Sequence, residues 1–432
     1  MTKGLDHTTR PAAEEIEAAL GEGAMSYDDG DIEAHGFSDW PSINSAGRWL
    51  SYVARAASIC HQRRVPVVPC EPHPRLRETF ASPYGGIIID FTGNIIAFHP
   101  DDMDIVTIEH EKLILPLDPS PAATIGGMVL TNCSGTNAFR YGTMKDWVIN
   151  VTTVLADGQV IKTRHRPRKT SAGYNLTSLF VGAEGTLVII AEITLKLAVI
   201  PKETSVAVVG FDTISEAASA ASKIIRSGIQ LAAMELMDDV QMRTVDQHDS
   251  EDVRKMGWMR SLHSFSSIQV DISQVRDLIQ SSPQPARYVF AKDKDEEAKL
   301  WAARKDSLWT MTSISLVLHA IWPTDVAVAI SRLAEIINVS KEGEKPRRDG
   351  NFHEALMYDP KNPEHQAAVE EAVRKMVARA LEMQGTVSGE HAIGMGKMLK
   401  HAVDPRWILN PGKVFDLPNG SKATAMPNQT SS

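Results

Sequence analysis

Apolar positions along this chain change period several times, and each change predicts an element. Between Trp49 and Arg63 they recur at helical spacing, and Val65–Pro69 follows as a short buried strand. Ile87–Phe91 and Asp104–Ile108 read as further strands. Val148–Leu155 and Gln159–Thr163 flank Ala156-Asp157-Gly158, whose Asp-Gly pair favours positive φ, so a β-hairpin is expected. Leu187–Leu197 is again β-rich, and Pro201–Thr204 breaks the pattern as a domain boundary would.

Beyond the break, a strand (Ser205–Phe211), a helix (Ser215–Ser227) and a strand (Ala232–Leu236) predict a second α+β domain. Asp293–Thr312 has helical spacing, with Leu300, Trp301, Arg304, Leu308 and Trp309 on neighbouring turns. A long helix is expected over Pro363–Met383, its apolar face formed by Val369, Val373, Met376, Val377 and Leu381. The ends are polar. Residues 1–45 read as loop with one short helix around Glu14–Leu20, and residues 419–432 as a disordered tail.

Composition narrows the class. The 432 residues are 43% hydrophobic and 23% charged, the balance of a globular protein with a sizeable core. A net charge of −9 with interspersed signs argues against nucleic acid as a partner. Cys60, Cys70 and Cys133 are too few for a disulfide framework, which points to a reducing compartment. No secretory signal, Arg-rich transit peptide or membrane-spanning apolar run is legible.

Candidate chemistry concentrates in 116–197. Ala123-Thr-Ile-Gly-Gly-Met128 and Thr131-Asn-Cys-Ser-Gly-Thr-Asn-Ala-Phe-Arg-Tyr-Gly-Thr-Met-Lys-Asp-Trp147 alternate small and hydroxylated residues with glycines. Gly126 and Gly127 would let backbone N–H groups converge on an anion, with Thr124, Thr131 and Ser134 adding hydroxyl donors. A second glycine pair lies in Gly182-Ala-Glu-Gly-Thr-Leu187. Each pair alone reads as a tight turn. Both together, flanking Arg140-Tyr141-Gly142, point to a nucleotide cofactor. No G-x-G-x-x-G follows a strand, and Gly394-Met-Gly-Lys397 lacks the spacing and hydroxyl of a phosphate loop.

These blocks, with Leu155-Ala-Asp-Gly-Gln-Val-Ile-Lys-Thr-Arg164 and Ser171-Ala-Gly-Tyr-Asn-Leu176, resemble the FAD-linked D-lactate dehydrogenases of the cytochrome c-reducing type. The wider group is the vanillyl-alcohol-oxidase-like flavoproteins. The resemblance runs from about Asp29 to Asp416 with gaps. It implies an α+β fold: a PCMH-type FAD-binding domain (46–200) after a polar segment (1–45), then an inserted α+β substrate or cap domain (201–355). A C-terminal helical segment (356–418) would return to the cofactor. It further implies non-covalent FAD on Ile125, Gly126, Gly127, Thr131, Ser134 and Gly135, with Arg140, Tyr141, Gly142 and the Glu184–Leu187 turn close by. Thr124, Gly185 and Ile190 complete that set.

The implied reaction oxidises D-lactate or another D-2-hydroxy acid to the 2-oxo acid, with cytochrome c or a quinone taking the electrons. Such chemistry needs a cation for the carboxylate, a base for the hydroxyl proton and a hydride acceptor. Arg304 suits the first and His391 the second. Asn351, in the Asp349–His353 segment, joins them as a catalytic candidate. Glu390 and His353 would bind a divalent metal such as Zn that polarises the hydroxyl. Read without the family, Arg304 is a solvated helix residue and His353 a turn histidine. By the same resemblance the location is mitochondrial, with the cytosol open because no transit peptide is legible.

Several joints depart from the family. A glycine-rich pyrophosphate loop should follow Pro69, whereas Cys70-Glu-Pro-His-Pro-Arg-Leu-Arg-Glu78 has no glycine, two prolines and two glutamates. Prolines lack N–H donors and carboxylates repel phosphate. Pro346 stands where the first metal histidine is expected. The departures predict weak or absent FAD binding in a catalytically impaired paralogue or truncated product.

Overall fold

The computed structural model describes residues 9–21, 25, 46–70, 87–90, 98–99, 104–105, 109–110, 113–119, 123–167, 169–201, 205–229, 231–235, 264–268, 287–291, 293–297, 320–324, 326–333, 335–337, 355–359, 362–387 and 395–412. The chain divides into two compact units, 1–135 with 141–200 and 389–432, and 136–140 with 201–388.

The first unit opens with helix α1 (Thr9–Leu20), which starts well before the predicted Glu14 and is not loop. Its buried residues are Thr9, Ala12, Ala13 and Ile16. Alanines carry little amphipathic signal, which is why the pattern under-reads this helix. Ile16 joins Val53, Ala57 and Cys60 of α2 (Ala46–Arg63) in one apolar cluster. Burying such a side chain stabilises by about 1.5–3 kcal/mol. Arg63 closes the pair of helices with two bonds to Glu15 Oε2, at 3.1 and 2.9 Å. Next, β1 (Val67–Cys70) pairs in parallel with β2 (Ile87–Asp90), Val67 opposite Ile87.

Five further short or edge segments follow the chain: β3 (Phe98–His99), β4 (Asp104–Ile105), β5 (Glu109–His110), β6 (Leu113–Ile114) and helix α3 (Ile125–Thr131). Two four-residue helices, α4 (Ala138–Tyr141) and α5 (Met144–Trp147), lead into β7 (Val148–Val154). After β8 (Val160–Lys162) come α6 (Leu176–Phe180), β9 (Ile189–Lys196) and β10 (Ala198–Val199). Among the described residues one sheet has the order β3-β4-β9-β7-β8 and is antiparallel throughout.

Strand β7 is buried along its whole length, as befits a central strand covered on both faces. The β7–β8 hairpin forms where Asp-Gly predicts it. Gly158 takes φ +90, its N–H donates to Leu155 O, and Leu155 N–H donates to Gln159 O. Met128, Val129 and Leu130 of α3 pack with Phe180, Val181, Val188 and Leu195 in the second core cluster.

In the second unit, β11 (Ser205–Gly210) lies between β13 (Ser264–Ile268) and β14 (Arg287–Phe290), and β12 (Leu231–Glu235) pairs with β13. Every pairing there is antiparallel. Helix α7 (Ile214–Arg226) begins at a Thr213–Glu216 capping box. Two short pairs follow, β15 (Ala320–Pro323) with β17 (Ala355–Tyr358) and β16 (Val326–Ala327) with β18 (Thr386–Val387).

Between the last two strands runs α8 (Pro363–Glu382), capped by Asn362 with proline at its first position. Its buried line is Val369, Met376 and Ala380, leading to Met383. Leu381, predicted on that face, is 56% exposed. Five residues beyond Met376 a helix has rotated about 140° past a full turn, so Ala380 takes the inward place. Of the predicted 293–312 helix, only residues 293–297 are described, and the 419–432 tail lies outside the described residues. Helix α9 (Met395–Val403) belongs to the first unit.

Candidate cofactor site

Gly126 and Gly127 lie in the first turn of α3, not in the open anion nest that the glycine pair suggests. Thr124 makes the helix start: its backbone is extended and its Oγ1 accepts the Gly127 N–H at 3.3 Å. The cap therefore uses one of the amides that the nest would have pointed outward. Helix geometry leaves the Ile125 and Gly126 amides without intrahelical partners. Thr131 Oγ1 donates back to Gly127 O at 2.8 Å.

The helix ends because Asn132 turns left-handed at φ 49, where its N–H and that of Cys133 meet the last carbonyls. Asn132 Oδ1 then accepts from Thr143 Oγ1 at 3.0 Å and from Lys145 N–H at 2.9 Å. Met144 N–H donates to Cys133 O. Trp147 Nε1 donates to Tyr141 O at 2.7 Å, with the two rings edge to face. Asn132 is thus the hub of the segment, a role that sequence reasoning missed because its partners Thr143 and Lys145 lie 11 and 13 residues further on.

Two predicted cofactor glycines also answer to packing. Gly135 has φ +120, and a Cβ there would sit 2.8 Å from Asp118 Oδ1. Gly142 has φ +73 and a Cβ would collide with the Asp146 carboxylate, which caps the Thr143 N–H. Burial first and Asp118 second push the Cys133 thiol up to about 12, so it stays protonated and is no nucleophile. Arg140 is exposed at the end of α4, and its stretch 136–140 groups with the second unit.

The structure brings the second predicted segment directly to α3. Gly182 N–H donates to Val129 O and Glu184 N–H to Leu130 O, each at 2.9 Å, satisfying the helix's last carbonyls. Glu184 (φ 48) and Gly185 (φ +70) form a left-handed turn. Gly185 is buried, and the Leu187 and Ile190 side chains pack inside the α3 core cluster. These two would therefore meet a cofactor through backbone only.

A further tie comes from the far end of the chain. Lys400 is 1% exposed and its Nζ donates to Thr186 O at 2.6 Å, Asp404 Oδ2 at 2.6 Å and Leu409 O at 2.8 Å. Burial draws its pKa down, and Asp404 opposes that. Asn410 Nδ2 donates to Glu184 O at 2.7 Å. The available signal was Lys-x3-Asp across one helical turn, which ordinarily marks a solvated pair.

The residues present suit an anionic dinucleotide. No carboxylate side chain occurs from Pro119 to Lys145, while amides, hydroxyls and Lys145 do, and Asp118 and Asp146 bound the run. Thr124–Gly127 and Ser134–Gly135 remain partly exposed. Arg304, Asn351, His353, Glu390 and His391, and the Glu71–Glu78 stretch, lie outside the described residues. Among the described residues no cluster of three or more His, Cys, Asp or Glu could hold a metal, and no helix is long and apolar enough to cross a membrane.

Residues 51–164 match the family of FAD binding domains and residues 200–399 the C-terminal domain of FAD linked oxidases. The solved structure of p-cresol methylhydroxylase with substrate bound shares the fold, with a TM-score of 0.69 at 14% identity, covering 96% of this chain and 98% of that one. Fold and sequence together define an FAD-dependent oxidoreductase of α+β, PCMH-type architecture. D-lactate dehydrogenase (cytochrome) 1, mitochondrial, of Saccharomyces cerevisiae is 36% identical over 93% of this chain and 79% of its own length. The mitochondrial D-lactate dehydrogenase (cytochrome) of Arabidopsis thaliana is 35% identical over 84% and 71%. The chain belongs to the family of FAD-linked D-lactate dehydrogenases of the cytochrome type.

Proposed function

We propose that this protein oxidises D-lactate to pyruvate on non-covalently held FAD and passes the electrons to cytochrome c or a quinone, in mitochondria. The observation that supports this most is the identity to cytochrome-type D-lactate dehydrogenases across most of the chain. The Thr124–Gly135 and Glu184–Ile190 segments, joined by backbone bonds, would hold the cofactor. FAD when bound supplies the hydride acceptor, at N5 of its flavin. Arg304 would grip the substrate carboxylate with its planar guanidinium and His391 would take the hydroxyl proton. Asn351 would act beside them. A divalent ion on His353 and Glu390 would polarise the hydroxyl, and metal analysis of the purified protein tests that part.

A second reading is carried by the Cys70–Glu78 sequence, whose prolines and glutamates disfavour pyrophosphate. On that reading the chain is an impaired derivative with little bound flavin. A third keeps the flavin and exchanges the substrate for another D-2-hydroxy acid such as D-2-hydroxyglutarate. Anaerobic titration of the purified protein separates them. Bleaching of the flavin bands by D-lactate supports the first reading, bleaching by D-2-hydroxyglutarate alone the third, and absence of flavin bands the second.

A further inference from the structure

We propose that Lys400 and Asn410 are positioning residues for the cofactor, acting as a clamp that sets the backbone of the Glu184–Leu187 turn. The proposal rests on the FAD reading above. Two carbonyls of this turn accept from the C-terminal segment, Glu184 O from Asn410 Nδ2 at 2.7 Å and Thr186 O from Lys400 Nζ at 2.6 Å. Between them the backbone is left-handed at Glu184 and Gly185, a conformation that neighbouring structure must hold in place for a non-glycine residue. On its other side the turn donates to the last carbonyls of α3.

The same segment also grips β1. Val67 N–H donates to Ile408 O at 2.7 Å and Asn410 N–H to Val67 O at 2.8 Å, a parallel bridge beside β1. The ring of Pro69 on β1 abuts Gly185, where an added Cβ would lie 2.7 Å from its Cγ. One short segment thus fixes the end of β1 and the turn, while α3 fixes the turn from the opposite side.

Lys400 has three protons and three acceptors, drawn from the turn, from its own helix end and from the bridge strand. Replacing a buried ion pair by packed hydrophobic residues is often neutral or stabilising, so net stability does not explain this lysine. Its directional bonds do: two of them fix backbone carbonyls, of Thr186 and Leu409, that an apolar side chain would leave free to shift.

The test uses the full-length protein and FAD. Asn410→Gly removes only the side chain and tolerates the residue's positive φ of 41. Arg406→Ala is the control, because Arg406 ties the same segment to His61 O and Gln62 O at the end of α2 rather than to the turn. Lys400→Met is the larger perturbation, and Asn410→Gly keeps the test open if that variant fails to fold. The readouts are the FAD dissociation constant from flavin fluorescence, the visible circular dichroism of bound flavin, and the melting temperature.

Asn410→Gly is expected to weaken FAD about five- to tenfold and to alter the flavin dichroism, on the scale of one lost hydrogen bond. Arg406→Ala should leave both unchanged at a comparable melting temperature. Equal effects of the two substitutions, or none from Asn410→Gly, would overturn the clamp while leaving the cofactor reading intact. An unmodified chain that takes up no FAD would overturn both.

Discussion

Substituting Lys400 by methionine keeps much of the apolar stem and removes the ammonium. Asp404, which is fully buried, then keeps only the amides of Ile408 (3.2 Å) and Leu409 (2.9 Å) as partners. The carbonyls of Thr186 and Leu409 lose a donor. Removing one member of a buried ion pair costs about 3–5 kcal/mol, because the remaining charge is left in low dielectric. For a unit of this size, about 4 kcal/mol corresponds to a fall in melting temperature of roughly 8–16 °C.

Adding Asp404→Asn removes the stranded charge and keeps an acceptor for one of the two amides, which bond different carboxylate oxygens. The double variant should therefore be more stable than Lys400→Met alone by about 1.5 kcal/mol or more. Urea unfolding followed by tryptophan fluorescence reads the loss, with Trp407, whose ring lies 5.6 Å from Lys400 Nζ, as one of eight reporters. A cost below about 1 kcal/mol for Lys400→Met, or a double variant no better than the single, would refute the reasoning.

Other expectations follow from the same geometry. Gly185→Ala combines left-handed strain with overpacking against the rigid Pro69 ring and should destabilise by about 2–4 kcal/mol in urea unfolding, whereas a loss under ~0.5 kcal/mol would contradict the contact. Burial first and Arg406 second hold the His61 imidazole below its ordinary value, so its contribution to stability is present above ~6.5 and lost as pH falls through the depressed value. An NMR titration of His61 should show that low midpoint, moving upward in Arg406→Gln. Burial pushes Cys60 up to about 12, so its stabilising effect is full below ~9 and disappears as pH rises toward 12. Peptide mapping after alkylation at pH 8 should find Cys60 and Cys133 unlabelled in the folded protein and labelled after denaturation.

Local signals carried much of the fold. The β7–β8 hairpin follows from Asp157-Gly158, and the apolar spacing places the starts of α7 and α8 within a residue of where they fall. Each signal lies within a few residues, so composition and spacing suffice to read it. Where several helical positions competed for one face, pattern alone misplaced Leu381, since burial depends on which neighbour the helix meets.

The cofactor region shows the same division. The hydroxyl and glycine content of 123–147 and 182–187 is a property of the sequence, and it marks the family. That Gly126 and Gly127 begin a helix, and that this helix receives the amides of Gly182 and Glu184, was decided by tertiary structure. The strongest case is Lys400. Its partner Asp404 is four residues away and visible in the sequence, but its bond to Thr186 O spans 214 residues. No local pattern encodes such a contact, because it exists only once two distant backbones have been packed together and water excluded between them.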